Sequence, residues 1–597
     1  MNEITKSITY LKEYKQLKQA VDEGKTPVLA VGLSAIHKAH LAAALGLDTD
    51  RPVLVLTDDD NAANRFAADL RGFSERDIVQ LPSRELVMAD VVGVSRGYEQ
   101  RRLAALDELT EAHFAVASVQ AAAQRTMPPE ALKAAIVSLA TGETAPLDEL
   151  AQSLTRAGYE RCVQVEGTGQ FSIRGGILDV FPPQAEHPYR VEFWDDEIDS
   201  ISTFDVGSQR RLEQCECLRC LPCMESIPAL AKGGAAGLAK AVLALTSTRR
   251  KKQHADLQTN LERDAERLRE TGSLPAADKY MPLIYPEMAT AFDYLPENAI
   301  VIIEDTPRLR DAVRDFHARV ADDVTALLER GEMPPALGEY ALDFVGVCSM
   351  KRQILRLDSF LNNVAELTPQ HLENFIANQM NAYGGNLDMA SADIRSYTEQ
   401  GRAVAVVCGS VLRCQNMLDA LTDTGLNVKI SDLLPKGGCV NIMEGTLSAG
   451  FEYPDLGLVV MTEGQVLARR KKTQVKKSNR DKVKSYTDLT PGDLVVHEHH
   501  GIGRFIGMER MTVDGSERDF IKIAFAGTDF LYVPATSLDL ISKYIGGGDN
   551  ERVRLNKLGG ADWSKAKARA KAAAKELAEG LIKLYAERAK VKGYAFP

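Results

Sequence analysis

The sequence predicts a multidomain α/β protein: a parallel-sheet domain with an α+β insertion, a second α/β domain, a small β-barrel and a long C-terminal helix. Three observations predict it. Short, almost wholly apolar runs such as Val28-Leu-Ala-Val31, Val53-Leu-Val-Leu56 and Phe114-Ala-Val-Ala-Ser118 alternate with helical segments, the pattern of strands buried on both faces. Between about 153 and 213 the pattern changes to apolar–polar alternation broken by Gly and Pro, which indicates antiparallel strands. From Leu489 onward the strands are short and punctuated by glycines, and strands this short close into a barrel more easily than they stack into a sandwich.

Composition sets the frame. With 597 residues there is room for about four domains at roughly 150 residues each. A net charge of −11 argues against a surface coated in basic residues, so any nucleic-acid contact has to be local. No apolar run approaches the roughly 20 residues of a membrane span, and Met1-Asn-Glu-Ile-Thr-Lys-Ser7 lacks the apolar core of a signal peptide. A cytoplasmic protein with no membrane partner is expected.

Residues 1–152 read as the first α/β layer. After Thr26-Pro-Val-Leu-Ala-Val31, the stretch Gly32-Leu-Ser-Ala-Ile-His37-Lys38-Ala39 overlays the phosphate-loop pattern G-x-x-x-x-G-K-[ST] at Gly32 and Lys38 only. His37 stands at the second glycine and Ala39 at the hydroxyl. The glycine lets backbone N–H groups wrap a phosphate and the hydroxyl holds Mg²⁺, so a degenerate loop without ATP hydrolysis is expected. The alternative is a residual nucleotide enzyme at this loop.

The insertion, 153–213, holds the strands of Phe171-Ser-Ile-Arg174-Gly-Gly-Ile-Leu-Asp-Val-Phe-Pro182 and Arg190-Val-Glu-Phe193-Trp194. Arg190 and Glu192 interrupt the apolar run that a central parallel strand requires, so Val191-Glu-Phe-Trp-Asp-Asp is not a magnesium-binding strand. Behind it, Cys215-Glu-Cys217-Leu-Arg-Cys220-Leu-Pro-Cys223 places four thiols at a spacing that a metal could use. The competing reading, which the sequence favours, is an extended strand whose Cys215 and Cys217 share one buried face. A metal-dependent regulator at these four cysteines stays the alternative, and no metal is expected.

Residues 214–345 return to the first sheet through Ala299-Ile-Val-Ile-Ile303. A third unit, 346–465, is expected from Gln353-Ile-Leu-Arg-Leu357, a helix over 369–382, Ala403-Val-Ala-Val-Val-Cys408, Leu426-Asn-Val-Lys-Ile430 and Leu456-Gly-Leu-Val-Val-Met461, as a scaffold without activity. A basic linker, 466–488, follows with Arg469-Arg-Lys-Lys and Lys476-Lys; a solvated connector is its default and a DNA contact the sharper option.

The barrel region, 489–555, is the most informative. Pro491-Gly-Asp493 is a turn, Leu494-Val-Val496 a strand and Gly501-Ile-Gly503 a tight reversal, with Asp514-Gly515 as a hairpin turn and Phe520-Ile-Lys-Ile-Ala-Phe525 as a half-buried strand. His497-Glu-His-His500 lacks the spacing of a zinc-protease helix, so these are turn or packing histidines. Residues 556–597 then form an Ala-rich helix with Leu577, Leu581, Leu584 and Tyr585 on one side and lysines on the other.

Val495-Val-His-Glu-His-His-Gly-Ile-Gly-Arg504, Leu531-Tyr-Val-Pro534 and Lys557-Leu-Gly-Gly-Ala-Asp-Trp563 occur in the order found in bacterial transcription-repair coupling factors, and this region resembles their RNA-polymerase-interacting module. The resemblance implies a CarD-related, Tudor/SH3-like barrel that grips the polymerase β subunit, with Arg504, Arg510, Met511 and Val513 by position on the contacting edge. An exposed apolar residue on a strand edge suits strand-to-strand docking; for Met511 alone, core filling is the alternative. The Phe171–Pro182 and Arg190–Phe193 motifs, with Phe204-Asp205, resemble domain 2 of the repair protein UvrB and its counterpart in the same coupling factors. That likeness implies a degenerate RecA-type α/β domain around the insertion and makes Arg174, Arg190, Phe193 and Trp194 the UvrA contacts.

The stretch from Leu81 to Tyr98 lacks the tyrosine-rich hairpin with which UvrB clamps damaged DNA, so lesion recognition is not expected here. In the coupling factors the last helix leads to an ATP- and Mg-dependent translocase motor that provides most DNA contact. No intact phosphate loop occurs in this sequence, so an N-terminal adaptor half without catalytic residues or cofactors is expected, one that binds UvrA constitutively.

Overall fold

A computed structural model describes residues 2–88, 96–245, 255–334, 337–380, 382–384, 386–434, 439–467, 489–497, 499–513, 516–527, 529–534, 540–544, 554–558, 563, 565 and 569. Two compact units are present: Met1–Ala89 with Tyr98–Ile136 and Met224–Val475, and Asp90–Gly97 with Val137–Cys223 and Lys476–Pro597.

In the first unit seven parallel strands run in the order His371–Asn374, Val28–Val31, Gln353–Leu357, Ile300–Glu304, Val53–Thr57, Phe114–Ser118 and Ile78–Leu81. The central strands are apolar at nearly every position because helices cover both faces, and two separate cores lie on those faces. Helices start where the sequence supplies caps: Asp59 accepts from Ala62 N at 2.6 Å before Asp60–Phe73, and Ser118 from Ala121 N before Val119–Ala123.

A second sheet in the same unit runs Asn378–Gln379, Phe451–Tyr453, Leu458–Thr462, Ala403–Cys408, Val440–Glu444 and Val428–Ile430. Its first two pairings are antiparallel and the rest parallel.

Two expectations are corrected here. Gln353–Leu357, expected to open the third unit, sits in the first sheet between Val28–Val31 and Ile300–Glu304. The helix expected over 369–382 is replaced by the strands His371–Asn374 and Asn378–Gln379. Pairing at the edges of two sheets outweighs local helix preference in that stretch.

In the second unit, a six-stranded sheet runs Arg211–Cys215, Glu197–Phe204, Tyr189–Trp194, Ile177–Val180, Gln170–Arg174 and Glu160–Arg161. All its pairings are antiparallel except the last, which is parallel. Val137–Ala140 pairs with Cys217–Cys220 as a two-stranded ribbon, so this substructure starts well before residue 153. A five-stranded antiparallel sheet follows, in the order Phe530–Pro534, Ser516–Ala524, Gly501–Val513, Leu494–His497 and Ile541–Lys543. Leu489, Val495, Phe505, Ile521, Ile523, Phe525, Val533 and Ile541 form its core. The outer strands are not bridged to each other among the described residues, so the observed element is a sheet. The basic linker from Arg469 and nearly all of the expected terminal helix lie outside the described residues.

Candidate functional site

The 32–39 loop is built into a packed joint. Gly32 adopts φ +85°, and a Cβ there would come within 2.2 Å of the Phe375 carbonyl oxygen. That close approach follows from the bond Phe375 N donates to Val31 O at 3.0 Å. His37, Lys38 and Ala39 are all buried. Ser34 Oγ lies 2.7 Å from His37 Nδ1, and the His37 ring meets Phe451 and Tyr453 edge-on at 5.4 and 5.0 Å. Burial pushes the His37 imidazole down to about 4. Lys38 Nζ lies 4.0 Å from Glu304 Oε1. Burial raises the Glu304 carboxyl, and the nearby Lys38 opposes that rise.

One further histidine of this joint escaped the motif reading. His40 is fully buried; its Nε2–H donates to the carbonyls of Ile4 at 2.9 Å and Thr5 at 3.0 Å. Nδ1 is therefore the acceptor for the Tyr453 hydroxyl at 3.2 Å. Both histidines thus pin the Ala35–Thr49 helix to the Phe451–Tyr453 strand, and His40 also ties it to the Asn2–Ser7 helix. The positions that phosphate chemistry reserves for glycine and hydroxyl are occupied by packing side chains.

In the six-stranded sheet, the expected surface residues separate into two kinds. Asp179 is buried and accepts from Arg174 Nη2 at 2.7 Å and from Arg190 Nε and Nη2 at 2.7 and 2.8 Å. The Arg190 guanidinium also lies 4.5 Å over the Phe204 ring. Arg190 thereby neutralises a buried carboxylate, whereas the Arg174 side chain remains half exposed. Phe193 backs onto the sheet's core. Trp194, at the end of the same strand, is 81% exposed, and Val163, which no motif marked, is 88% exposed. An indole this exposed among the described residues carries a large apolar surface and a donor, the combination that dominates protein interfaces.

The cysteine run is divided between two elements. Cys215 ends one strand half-buried, and Glu216 separates it from Cys217, which pairs with Ala140 in the ribbon and is exposed. The expectation that Cys215 and Cys217 share a buried face is thus corrected. Cys220 and Cys223 are buried in the core near Tyr159. Among the described residues, no three His, Cys, Asp or Glu side chains are grouped to hold a metal ion.

The long Gly501–Val513 strand carries the expected edge. Leu494–His497 pairs with it only across Gly501 to Arg504, and Asp493 and Gly492 extend the contact to Phe505. From Gly507 to Val513 it pairs with Ser516–Ala524 alone, and no strand covers its other edge among the described residues. A register shift between Phe505 and Gly507, where Gly507 adopts φ +156°, marks the start of this projecting ribbon. Arg510 is exposed and Met511 half-buried on it; the Val513 side chain lies outside the described residues. Arg504 precedes the bulge, its guanidinium reaching Gly492 O at 3.4 Å.

Similarity to known proteins matches these substructures. A family model described as the UvrB interaction domain matches residues 137–225, and one described as the CarD-like/TRCF RID domain matches 489–545. The transcription-repair-coupling factor of Bacillus subtilis (strain 168) is 32% identical over 609 residues, covering 98% of this chain and 51% of that protein. This chain is a homologue of the transcription-repair-coupling factors. The corresponding proteins of Staphylococcus epidermidis (strain ATCC 35984) and Staphylococcus aureus (strain USA300) are 28% and 27% identical, covering 97% and 98% of the chain and 50% and 51% of those proteins. The chain therefore spans about half the length of the curated coupling factors it matches. The UvrB-interaction match begins at the Val137–Ala140 strand, in agreement with the ribbon that opens that substructure.

Proposed function

We propose that this chain is the adaptor portion of a transcription-repair coupling factor. It docks on RNA polymerase through residues 489–545 and recruits UvrA through residues 137–225, bringing excision repair to polymerases stalled at DNA lesions. The observation that carries the reading is the match to both the UvrB interaction domain and the CarD-like/TRCF RID domain in one chain that aligns with coupling factors over 98% of its length.

On this reading the five-stranded sheet is the main part of a Tudor/SH3-like barrel. The projecting edge from Gly507 to Val513, with Arg504, Arg510 and Met511, adds to a strand of the polymerase β subunit, since a sheet edge is where another chain's strand can be added. Trp194 anchors UvrA, with Arg174 beside it and with Phe193 and Arg190 shaping the strand beneath. The 32–39 loop hydrolyses no ATP and needs no cofactor. ATP-driven translocation on DNA belongs to the full-length coupling factors, and the basic linker from Arg469 adds a local, salt-sensitive contact to DNA. Such a protein works in the cytoplasm.

The test is retention of purified polymerase β subunit and purified UvrA on the immobilised chain. The unmodified chain retains both; Met511→Arg loses the polymerase subunit alone, and Trp194→Ala loses UvrA alone. Failure of the unmodified chain to retain either partner ends this reading.

A further inference from the structure

Within the second unit, the segment matched to the UvrB interaction domain touches the segment matched to the CarD-like domain at one carboxylate. Glu166 lies in the loop before the Gln170–Arg174 strand, and that loop is held from within: Gln170 Oε1 accepts from Glu166 N at 2.9 Å and from Gly167 N at 3.0 Å. The turn it meets is also braced. His499 N donates to His497 Nδ1 at 3.2 Å, so the proton of the buried His497 ring sits on Nε2, 3.9 Å from Glu166 Oε2. His500 Nε2 lies 3.0 Å from Glu166 Oε1, and His499 Nε2 lies 3.0 Å from the Glu166 backbone carbonyl. His500 in turn leans edge-on against Phe525 of the sheet's core, at 6.4 Å. A Cβ on Gly167 would stand 3.5 Å from Leu540, so the loop's backbone runs beside that apolar side chain.

We propose that Glu166 and the His497–His500 turn form a latch that couples the two recruiting segments, so that loosening one side loosens the other. Two imidazoles, of His497 and His500, face the Glu166 carboxylate, and a third, of His499, meets its backbone carbonyl. Cys162 of the same loop also senses Glu166, and burial pushes its thiol up to about 12 and keeps it neutral. Among the described residues, the groups that act on the carboxylate's charge are the three histidines. Burial by itself would raise the Glu166 carboxyl, but the His500 hydrogen bond and the neighbouring imidazoles outweigh it and hold it below its ordinary value. A partner that needs the Glu166 loop or the histidine turn has to open this contact, and the free energy of opening is shared by both segments. The latch is a property of the chain and does not depend on which partners the segments bind.

Amide hydrogen exchange on the whole chain tests it, read by mass spectrometry in peptides covering 160–170 and 494–505. Glu166→Gln keeps the side-chain shape and removes the charge; exchange should rise about tenfold in the 494–505 peptide, across the interface from the substitution. His500→Gln should produce the reciprocal rise in the 160–170 peptide. The Ala35–Thr49 helix, in the other unit, serves as an internal control and should not change. If each substitution raises exchange only in its own segment, or in neither, the latch does not exist. A rise on the far side from either substitution, with the control helix unchanged, supports it.

Discussion

The 32–39 loop and the ribbon edge from Gly507 to Val513 both resemble, as sequence, places where something binds; in the fold the first is closed and the second is open. The loop has its glycine pressed against the Phe375 carbonyl, its lysine set toward the half-buried Glu304 and its histidine packed between aromatic rings. The edge has one strand partner and, among the described residues, no second. A polar or basic side chain therefore signals a ligand only when the fold leaves it uncommitted. Arg190 and Trp194 repeat the lesson within one strand, the arginine tied to buried Asp179 and the tryptophan in solvent.

The sharpest way to break this contrast is to disturb the closed loop. Gly32→Ala places a methyl 2.2 Å from the Phe375 oxygen at a backbone angle that L residues rarely adopt. Neither atom is the end of a flexible side chain, so roughly 3 kcal/mol or more of stability should be lost. Urea unfolding of the chain measures it. A loss below about 1 kcal/mol would mean that the loop is free to move, as a working phosphate loop must be.

Acid should act next. Burial pushes His37 down to about 4 and His40 down to about 3, so both rings are neutral in the folded chain. The unfolded chain binds their protons near pH 6.5, and so it gains protons that the folded state refuses. Stability is full above about pH 6.5 and falls as pH drops below it, by up to about 1.4 kcal/mol per unit for each histidine. The fall continues until pH passes the depressed folded-state values. His40→Gln should flatten part of this slope in a thermal scan from pH 7.5 to 5.

These interactions mark the limit of what the sequence revealed. Strand alternation, the turns at Pro491–Asp493 and Gly501–Gly503, and the failed phosphate pattern were legible because each is set by residues close together in the chain. The partner of Gly32 lies at Phe375, and that of His40 at Tyr453, separations at which no periodicity carries information. The strand His371–Asn374 is hidden from the sequence for the same reason: its strand state is imposed by Val28–Val31. Ile78–Leu81 went unnoticed because a short edge strand, half-buried along most of its length, lacks the apolar run of its neighbours. At the insertion, the resemblance to UvrB domain 2 pointed to Arg174, Arg190 and Trp194, yet only the fold shows that both arginines meet Asp179 and that Arg190 is the more buried, over the Phe204 ring.

Lys38 offers an intermediate test. If its ammonium serves Glu304 and no phosphate, Lys38→Met should cost about 1 kcal/mol by leaving a half-buried carboxylate unpaired, and adding Glu304→Gln should recover much of that loss. Background ATP hydrolysis should be identical in the unmodified chain and in Lys38→Ala. Hydrolysis that disappears with the lysine would restore the nucleotide-enzyme reading of this loop.

At the open surfaces the expected effect on stability is smallest. Trp194 is 81% exposed at the end of its strand, and its removal uncovers no core, so Trp194→Ala should shift unfolding by less than about 0.5 kcal/mol. Its effect on partner capture should be far larger, because a tryptophan at the centre of an interface commonly accounts for about 2 kcal/mol or more, roughly a thirtyfold change in affinity. Titration of UvrA against the unmodified and substituted chains, beside urea unfolding of both, separates the two quantities. Equal losses in both would place Trp194 with Arg190 among the residues that hold the fold, and the contrast between closed and open sites would then fail where it is most exposed to water.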